Sequence, residues 1–232
     1  MSYFVTGTDT GVGKTLISCA LLHGLAAQGK RVAGMKPVAA GCADGDIHED
    51  VRRLRAAGNV QASPGQINQY CFVPAVAPHL AAQSTGVVIN LERIAGSFTG
   101  LAGQADEVIV EGAGGLAVPL NDGQDSADLA VQLGLPVILV VGMRLGCLNH
   151  ALLTVEAVAA RGLMLAGWVA NVLDADMAML EGNIAALQQR IDAWHLGQHG
   201  RRPDPDAYRG FLTEIGYLVP EGADFAVETV GT

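Results

Sequence analysis

Long apolar runs are absent from this sequence of 232 residues, and none approaches the ~18 uninterrupted apolar residues that a membrane-spanning helix needs. Basic residues are also few, with 14 lysines and arginines against 23 acidic residues and a formal net charge of −9. We therefore expect no nucleic acid and no membrane among the partners, because both attract basic surfaces. No basic segment precedes an apolar one at the N-terminus, so the sequence also predicts no signal peptide.

Cysteine is scarce and scattered. The four cysteines (Cys19, Cys42, Cys71 and Cys147) form neither a Cys-x-x-Cys motif nor a cysteine–histidine cluster with zinc spacing. Cys19 falls within a helical pattern and is expected to pack in the core. The simplest interpretation is a reduced protein of the cytoplasm.

Hydrophobic residues make up 50% of the sequence and charged residues only 16%, so a large buried core is expected. The length fits one sizeable α/β domain, or one such domain with an appendage. Composition alone takes the interpretation no further than a soluble α/β protein.

A glycine-rich segment at residues 7–15 indicates a phosphate-binding loop. It reads Gly-Thr-Asp-Thr-Gly-Val-Gly-Lys-Thr, follows an apolar run at residues 3–5, and precedes a helical pattern over residues 16–27. The usual loop has a glycine where this chain has Thr8, and Gly7 lies one residue further out. An ordinary glycine-rich turn is the alternative.

This loop brings together the residue types that phosphate chemistry needs. Glycines let the backbone turn its N–H groups inward, where the positive end of the helix also attracts anions. Lys14 would reach the β- and γ-phosphates, and the Thr15 hydroxyl would contact Mg²⁺.

Two predicted strands end in charged side chains. Residues 31–38 read as a strand that Pro37 closes, with Lys36 at its C-terminal end, where open α/β sheets bind ligands. Residues 106–111 read as a strand that ends in Glu111 and runs into a glycine-rich loop, so this carboxylate is a candidate Mg²⁺ partner. The alternatives are a surface lysine and an ordinary strand-to-turn junction.

Acidic residues gather in the segment between these strands. Residues 39–50 contain glycine and aspartate but no clear element, and Asp50 opens a helical pattern over residues 51–57. Carboxylates at a helix start are ordinary capping and dipole features, and that interpretation of each one competes with metal binding.

The later half of the chain continues the alternation of strands and helices. Residues 135–142 form an apolar run typical of a buried parallel strand, and residues 143–150 lead into a helix over 151–160, whose first amides are a candidate anion site. Residues 162–171 read as another strand, ending in Asn171, which could hydrogen-bond a base edge. The sequence therefore predicts a three-layer, doubly wound α/β fold with a mostly parallel sheet, like that of P-loop NTPases.

Taken together, these motifs resemble the dethiobiotin synthetase family over residues 1 to about 190. The segments that carry the resemblance, in chain order, are residues 7–10, 12–15, 36–38, 78–79, 111–115, 142–150 and 167–171. The resemblance implies an ATP-dependent cyclo-ligase of biotin synthesis, acting in the cytoplasm as a homodimer. Its substrates would be ATP, CO₂ and 7,8-diaminopelargonic acid, with Mg²⁺ as the cofactor.

The resemblance also implies a role for each residue of the site. Mg²⁺ would be held by Thr15, Asp50 and Glu111. The catalytic contacts to the phosphates and the carbamate phosphate would come from Thr10, Lys14 and Lys36. The nucleotide would be bound by Asp9, Thr10, Gly11, Val12, Gly13, Lys14, Thr15 and Glu111, with Asn171 reading adenine. The substrate would be bound by Lys36, Ala40, Gly114 and Gly115, and by Gly146, Cys147, Leu148 and Asn149 of the partner subunit. Ala40 stands where some family members have a serine.

The end of the chain departs from the family. We predict a synthetase-like domain at residues 1–190 and an atypical segment at 191–232, of which residues 188–228 resemble a fragment of malate synthase G. Three explanations stay open: a fusion or replacement, a divergent synthetase end, and a chance likeness. A tail of this kind is expected not to rebuild the adenine pocket of the family.

Two other functions compete with the ligase. A P-loop switch or partitioning-type ATPase would share the loop and the sheet, and a synthetase-like chain could keep the fold while losing turnover. The segments around Glu111 and Gly146 favour the ligase, and no basic amphipathic segment indicates a membrane-bound switch.

Overall fold

The computed structural model of the chain describes residues 2–43 and 47–199. Its strands are β1 (Tyr3–Gly7), β2 (Val32–Met35), β3 (Val38–Ala40), β4 (Tyr70–Phe72), β5 (Glu107–Gly115), β6 (Val137–Met143) and β7 (Leu165–Val172). Its helices are α1 (Lys14–Ala27), α2 (Glu49–Ala57), α3 (Pro64–Ile67), α4 (Pro78–Ser84), α5 (Leu91–Ala102), α6 (Ser126–Leu133), α7 (Cys147–Ala160) and α8 (Leu180–His199).

Five strands form one parallel sheet in the order β2-β5-β1-β6-β7, with β1 at the centre. Val108 and Val110 of β5 share one apolar cluster with Phe4 of β1, whereas Ile109 and Val5 belong to another. Because successive strand residues point to opposite faces, both faces of the sheet are covered. This confirms the predicted α/β fold with its parallel sheet, and it places the C-terminal ends of all five strands at one edge.

The predicted strand over residues 31–38 is divided in the structure. β2 ends at Met35, and β3 begins at Val38 in a separate two-stranded parallel sheet with β4. The Lys36 N–H donates to the Ile67 carbonyl oxygen at 2.9 Å, and Pro37 has no N–H to donate. The chain therefore leaves the large sheet at Lys36, which puts this side chain at the sheet edge.

Two other predicted boundaries also differ. The glycine-rich loop predicted after Glu111 is wrong, because β5 continues to Gly115, which pairs with Gly7 of β1. Helix α7 begins at Cys147 rather than at residue 151, so the predicted anion-binding residues form its first turn. Helices α5 and α6 have no counterpart among the predicted elements.

The expectation of a fully reduced protein is also wrong. A disulfide joins Cys42, just after β3, to Cys71 in β4, whereas Cys19 and Cys147 are free thiols. A sequence separation of 29 hides the proximity of the two half-cystines. The parallel pairing of β3 with β4 brings them together, since Ala40 lies opposite Phe72. Cys19 is half-buried and packs against the core, as predicted.

No helix within the described ranges is both long enough and apolar enough to span a bilayer. Of the predicted segment at residues 191–232, only 191–199 are described, and they continue α8 across the predicted boundary. Residues 200–232 lie outside the described residues. Most of the stretch at 188–228 that resembles malate synthase G falls there, so the origin of this segment stays a prediction.

Candidate functional site

The phosphate loop lies between β1 and α1 at the C-terminal edge of the sheet. Two of its glycines have left-handed backbones, Gly11 with φ 74° and Gly13 with φ 93°. Gly13 is the N-cap of α1, so the loop leads directly into the first turn, which starts with Lys14. The predicted strand–loop–helix arrangement is therefore present, with the positive end of a helix at its mouth.

The Lys14 side chain is folded back onto the loop. Its ammonium donates to the Asp9 carbonyl oxygen at 2.9 Å. Burial, followed by the neighbouring Lys36 charge, lowers the pKa of Lys14 to about 8. The Asp9 carboxylate in turn accepts from the Thr10 N–H at 2.7 Å and pairs with Arg144 at 2.5 Å. Arg144, just after β6, therefore holds the N-terminal part of the phosphate loop through Asp9.

A charged cluster lies beneath the first turn of α1. The Thr15 hydroxyl donates to Glu111 Oε1 at 2.8 Å, and the same oxygen accepts from Lys36 Nζ at 2.5 Å. Lys36 Nζ also lies 3.0 Å from Asp50 Oδ2. The structure therefore brings together four residues predicted from separate segments, with the lysine between the two carboxylates.

The electrostatics of this cluster favour the charged forms of Lys36 and Asp50. Burial alone would lower the pKa of Lys36, but the carboxylates of Glu111 and Asp50 outweigh it and raise the pKa above its usual value. Burial would raise the pKa of Asp50, but the Lys36 ammonium and hydrogen bonds from Lys36 and Thr15 lower it below its usual value. Lys36 is therefore a permanent positive charge at neutral pH.

The backbone around Lys36 is fixed from outside the large sheet. Its N–H is bonded to Ile67 at the end of α3, and its carbonyl oxygen accepts from Asn68 Nδ2 at 2.6 Å. Asp50 lies in the first turn of α2, where His48 is the N-cap and its Nδ1 accepts from the Asp50 N–H at 3.2 Å. The backbone of Lys36 is therefore held by residues 67 and 68, and that of Asp50 by the helix cap at His48.

The residues of this cluster fit a magnesium ion. Glu111 Oε2 is buried without a hydrogen-bond partner. The Thr15 hydroxyl contacts the other oxygen of this carboxylate and is also hydrogen-bonded to the Asp50 side chain. Oxygen ligands of this type, limited to one or two carboxylates, are what Mg²⁺ uses when substrate phosphates and water complete its shell. Within the described ranges, no group of three or more histidine, cysteine, aspartate or glutamate side chains is placed so that it could hold a metal ion by itself.

A cavity of about 760 Å³ opens above the cluster. Ten of the predicted site residues line it: Thr10, Gly11, Gly13, Lys14, Thr15, Lys36, Ala40, Asp50, Glu111 and Gly114. It also contains residues that the sequence did not single out, among them His48, Arg53, Ala75, Val76 and Val118. Arg144 was missed in the same way, although it lies inside the predicted segment 143–150. Only His48 had a local signal, since it precedes the acidic start of a helix.

Four predicted residues support this cavity without lining it. Val12 is fully buried, and the Asn171 Nδ2 donates to its carbonyl oxygen at 2.8 Å. Gly115 lies in β5 opposite Gly7, and Asp9 is tied to Arg144. The predicted nucleotide residue Asn171 therefore contacts the phosphate loop itself.

The four residues predicted to bind the substrate carboxylate lie elsewhere on this chain. Gly146 (φ 92°) caps α7, and Cys147, Leu148 and Asn149 form its first turn, none of them lining the 760 Å³ cavity. Leu145, just before them, is 98% exposed. Within one chain, the structure does not bring this turn to the phosphate loop cavity.

Several known proteins are similar to this chain over most of its length. A family model described as an AAA domain matches residues 1–204. The ATP-dependent dethiobiotin synthetase of Nitrosospira multiformis is 58% identical over 195 residues, which cover 84% of this chain and 86% of that protein. The ATP-dependent dethiobiotin synthetase of Ralstonia nicotianae is 55% identical over 207 residues, covering 88% and 90%. Among solved structures, the MinD cell division protein of Aquifex aeolicus covers 91% of this chain, with 78% of that chain matched, a TM-score of 0.46 and 14% identity.

Proposed function

The chain belongs to the dethiobiotin synthetase family, and from this premise we propose that it closes the ureido ring of dethiobiotin from 7,8-diaminopelargonic acid, CO₂ and ATP. The observation that carries the proposal is the cluster of Thr15, Lys36, Asp50 and Glu111 beneath the phosphate loop. Relatives that match most of their own length support the same activity.

The proposed reaction has three steps. One amine of the substrate adds to CO₂ and loses a proton, giving a carbamate. A carbamate oxygen attacks the γ-phosphorus of ATP, and the bond from this phosphorus to the β,γ-bridging oxygen breaks. ADP departs, and a carbamic–phosphoric anhydride is formed. The second amine then attacks the carbamate carbon and loses a proton, and the bond from this carbon to the phosphate oxygen breaks, so that inorganic phosphate leaves and the ring closes. Each intermediate is a covalent derivative of the substrate and none is attached to the protein. The protein therefore mainly positions anions and stabilises their charge.

The lysines of the cavity have distinct roles in this proposal. Lys14, which lies at the first turn of α1, would exchange its Asp9 carbonyl partner for the β- and γ-phosphate oxygens. Lys36, held charged by its two carboxylate neighbours, would stabilise the charge on the transferring phosphoryl group. Thr10 would donate to the same group from the rim, where it lies near Gly114.

Magnesium would be held by Thr15, Asp50 and Glu111, and when bound it would neutralise charge on the phosphates. Gly114 and Ala40 line the cavity where the diamine must approach, and neither has a side chain that obstructs it. Asn171 would hydrogen-bond the adenine base with the amide oxygen that Val12 leaves available.

We also propose a homodimer, because the α7 amides predicted to bind the substrate carboxylate do not line the cavity of their own chain. The amides at the start of α7 would bind this carboxylate in the site of the partner subunit. Exposed apolar side chains near that turn, Leu145 and Leu153, are consistent with such an interface.

The proposal is tested by measuring ADP release from Mg-ATP with bicarbonate, with and without 7,8-diaminopelargonic acid, and by detecting the cyclic urea. We expect release to require both bicarbonate and the diamine. Release that ignores the diamine would contradict the ligase and favour a switch-type ATPase. No release from a folded protein would indicate a chain that has lost turnover.

Two finer proposals concern the end of the chain and its location. We propose that residues 191–232 do not supply the adenine pocket of the family, so that selectivity for ATP over GTP should be low, with Asn171 as its remaining source, and similar KM values would support this. A strong preference for ATP would contradict this.

The proposed location is the cytoplasm, where ATP is available.

A further inference from the structure

We propose that Asn171 is a positioning residue that holds the phosphate loop in its binding conformation, whichever base the nucleotide carries. This role is additional to the adenine contact proposed above. It rests on the proposed function only in requiring that residues 7–15 bind phosphate.

The first observation is the bond between Asn171 and the loop. Its Nδ2 donates to the Val12 carbonyl oxygen at 2.8 Å, across 159 residues of sequence. A carbonyl oxygen can only accept, so the amide nitrogen must be the atom that faces it. Asn171 lies on β7, and β6 separates this strand from β1, which carries the loop. The loop therefore reaches over the end of β6 to make this contact.

The packing around Val12 fixes the position of the loop next to β6. The Val12 side chain is fully buried. A Cβ at Gly7 would lie 2.6 Å from Val12 Cγ2, and one at Gly142 on β6 would lie 2.9 Å from Val12 Cγ1. Only residues without a Cβ leave space for Val12 at both places. The loop is thus anchored by a buried side chain, and Asn171 holds the carbonyl group of the same residue.

Holding this carbonyl has a consequence for phosphate binding. In a trans peptide the C=O and the following N–H point in opposite directions. With the Val12 oxygen on Asn171, the Gly13 N–H is turned to the other side, and Gly13 lines the cavity. Loop amides that point into the cavity are the groups that bind phosphate oxygens. Asn171 therefore orients a phosphate-binding amide without touching the phosphate.

The experiment uses a ligand with phosphates and no base. Dissociation constants of Mg-tripolyphosphate and Mg-ATP are measured by calorimetry for the full chain and for Asn171→Ala. Loss of one neutral hydrogen bond that orders the loop should weaken tripolyphosphate by about fivefold to tenfold, and ATP by at least as much because the adenine contact is lost as well. Asn171→Asp is avoided, because its added negative charge would repel phosphate directly.

A matched control is available on α8, where Asn183 Nδ2 donates to the Met179 carbonyl oxygen, also at 2.8 Å. Asn183→Ala removes the same kind of bond away from the loop and should leave both constants unchanged. If Asn171→Ala fails to fold, Asn171→Ser is measured in its place.

The outcomes separate the two roles of Asn171. Weakening of tripolyphosphate together with ATP supports the positioning role, and any greater weakening of ATP measures the adenine contact. Weakening of ATP alone, or no change in either ligand, overturns it. If the wild-type chain binds tripolyphosphate but shows no diamine-dependent ADP release, the proposed activity fails while this inference can still be tested.

Discussion

Lys36 is a buried positive charge between two carboxylates, and we expect Lys36→Met to damage both stability and turnover. Removing one partner of a buried ion pair leaves the Glu111 carboxylate without its counter-charge, at a cost of about 3 kcal/mol. The melting temperature should fall by roughly 6–12 °C. The rate of ADP release should fall by at least about 10²-fold, because a charge that stabilises the transferring group is lost. Thermal unfolding and steady-state kinetics measure the two effects.

The control is a second lysine–glutamate pair outside the cavity. Lys30 Nζ lies 3.2 Å from Glu107 Oε1, with the lysine side chain 32% exposed. Lys30→Met should lower the melting temperature less than Lys36→Met and should not change the rate. A loss of rate in both variants would mean that stability, and not the charge at residue 36, limits activity.

At this scale the sequence predicted the residue types better than their partners. Gly-Lys-Thr after an apolar strand was sufficient to assign Lys14 and Thr15 to a phosphate loop, since that chemistry is local. The pairing of Lys36 with Glu111 joins residues 75 positions apart. Asp50 was one of several acidic residues in one segment, so nothing local distinguished it from an ordinary helix-start carboxylate. Arg144 was missed for the same reason, because its partner Asp9 is 135 residues away.

At the scale of elements, the junction between the loop and α1 depends on Gly13. Its backbone has φ 93°, and a Cβ would lie 2.1 Å from the Asn171 Nδ2. We expect Gly13→Ala to strain the backbone and displace Asn171, and so to weaken ATP binding by at least about tenfold. Calorimetric titration with Mg-ATP measures this effect.

Gly29, just beyond the end of α1, is the matched control. It has φ 82°, and a Cβ at this position would have no neighbouring atom within 4 Å, so Gly29→Ala adds backbone strain without a clash. This variant should lose about 1 kcal/mol of stability and keep its affinity for ATP. Equal losses of affinity in both variants would show that strain alone explains the effect at Gly13.

The disulfide between β3 and β4 is expected to stabilise the fold. It closes a loop with a sequence separation of 29, for which the chain-entropy model gives about 3.6 kcal/mol. Dithiothreitol should therefore lower the melting temperature, and should have no such effect on the double variant Cys42→Ser/Cys71→Ser. In denaturant without reductant, two of the four cysteines should react with a thiol reagent. Four reactive thiols would contradict the bond.

Elements with a strong local pattern were predicted well, and the errors fall where tertiary pairing decides. The run of glycines after Glu111 has the composition of a loop, yet β1 extends it as a strand through the pairing of Gly115 with Gly7. The strand predicted over residues 31–38 is divided because Ile67 captures the Lys36 N–H. Both outcomes depend on a neighbour that is distant in the sequence.

At the scale of the whole molecule, alternating strands and helices were enough to predict a parallel α/β fold, because parallel strands need crossover connections. What the alternation could not show is how many chains complete one site. The first turn of α7 does not line the cavity of its own chain. The proposed site must therefore be tested in a dimer, in which two chains contribute to each site.

We expect two inactive variants to restore each other's activity in a dimer. Lys36→Met damages the cavity of its own chain, whereas Gly146→Val strains the φ 92° cap of α7 and moves the amides that would serve the partner's site. A heterodimer isolated with two different tags then has one intact site, formed by the cavity of the Gly146→Val chain and the α7 turn of the Lys36→Met chain. Its diamine-dependent ADP release should be about half that of the wild-type dimer, since a two-fold dimer has two equivalent sites.

The control pairs two variants whose defects lie in the same half of the site. In a heterodimer of Lys36→Met and Gly13→Ala, each cavity carries a defect while both α7 turns are intact, so no activity should return. Restoration in the first heterodimer and not in the second requires that each site draw on both chains. Absence of restoration in both, with stable heterodimers, would mean that the Gly146→Val defect acts in its own chain and would contradict the shared site. If Gly146→Val is instead active by itself, the α7 amides are not needed, and a side chain of the cavity, such as Arg53 on its wall, would have to bind the substrate carboxylate.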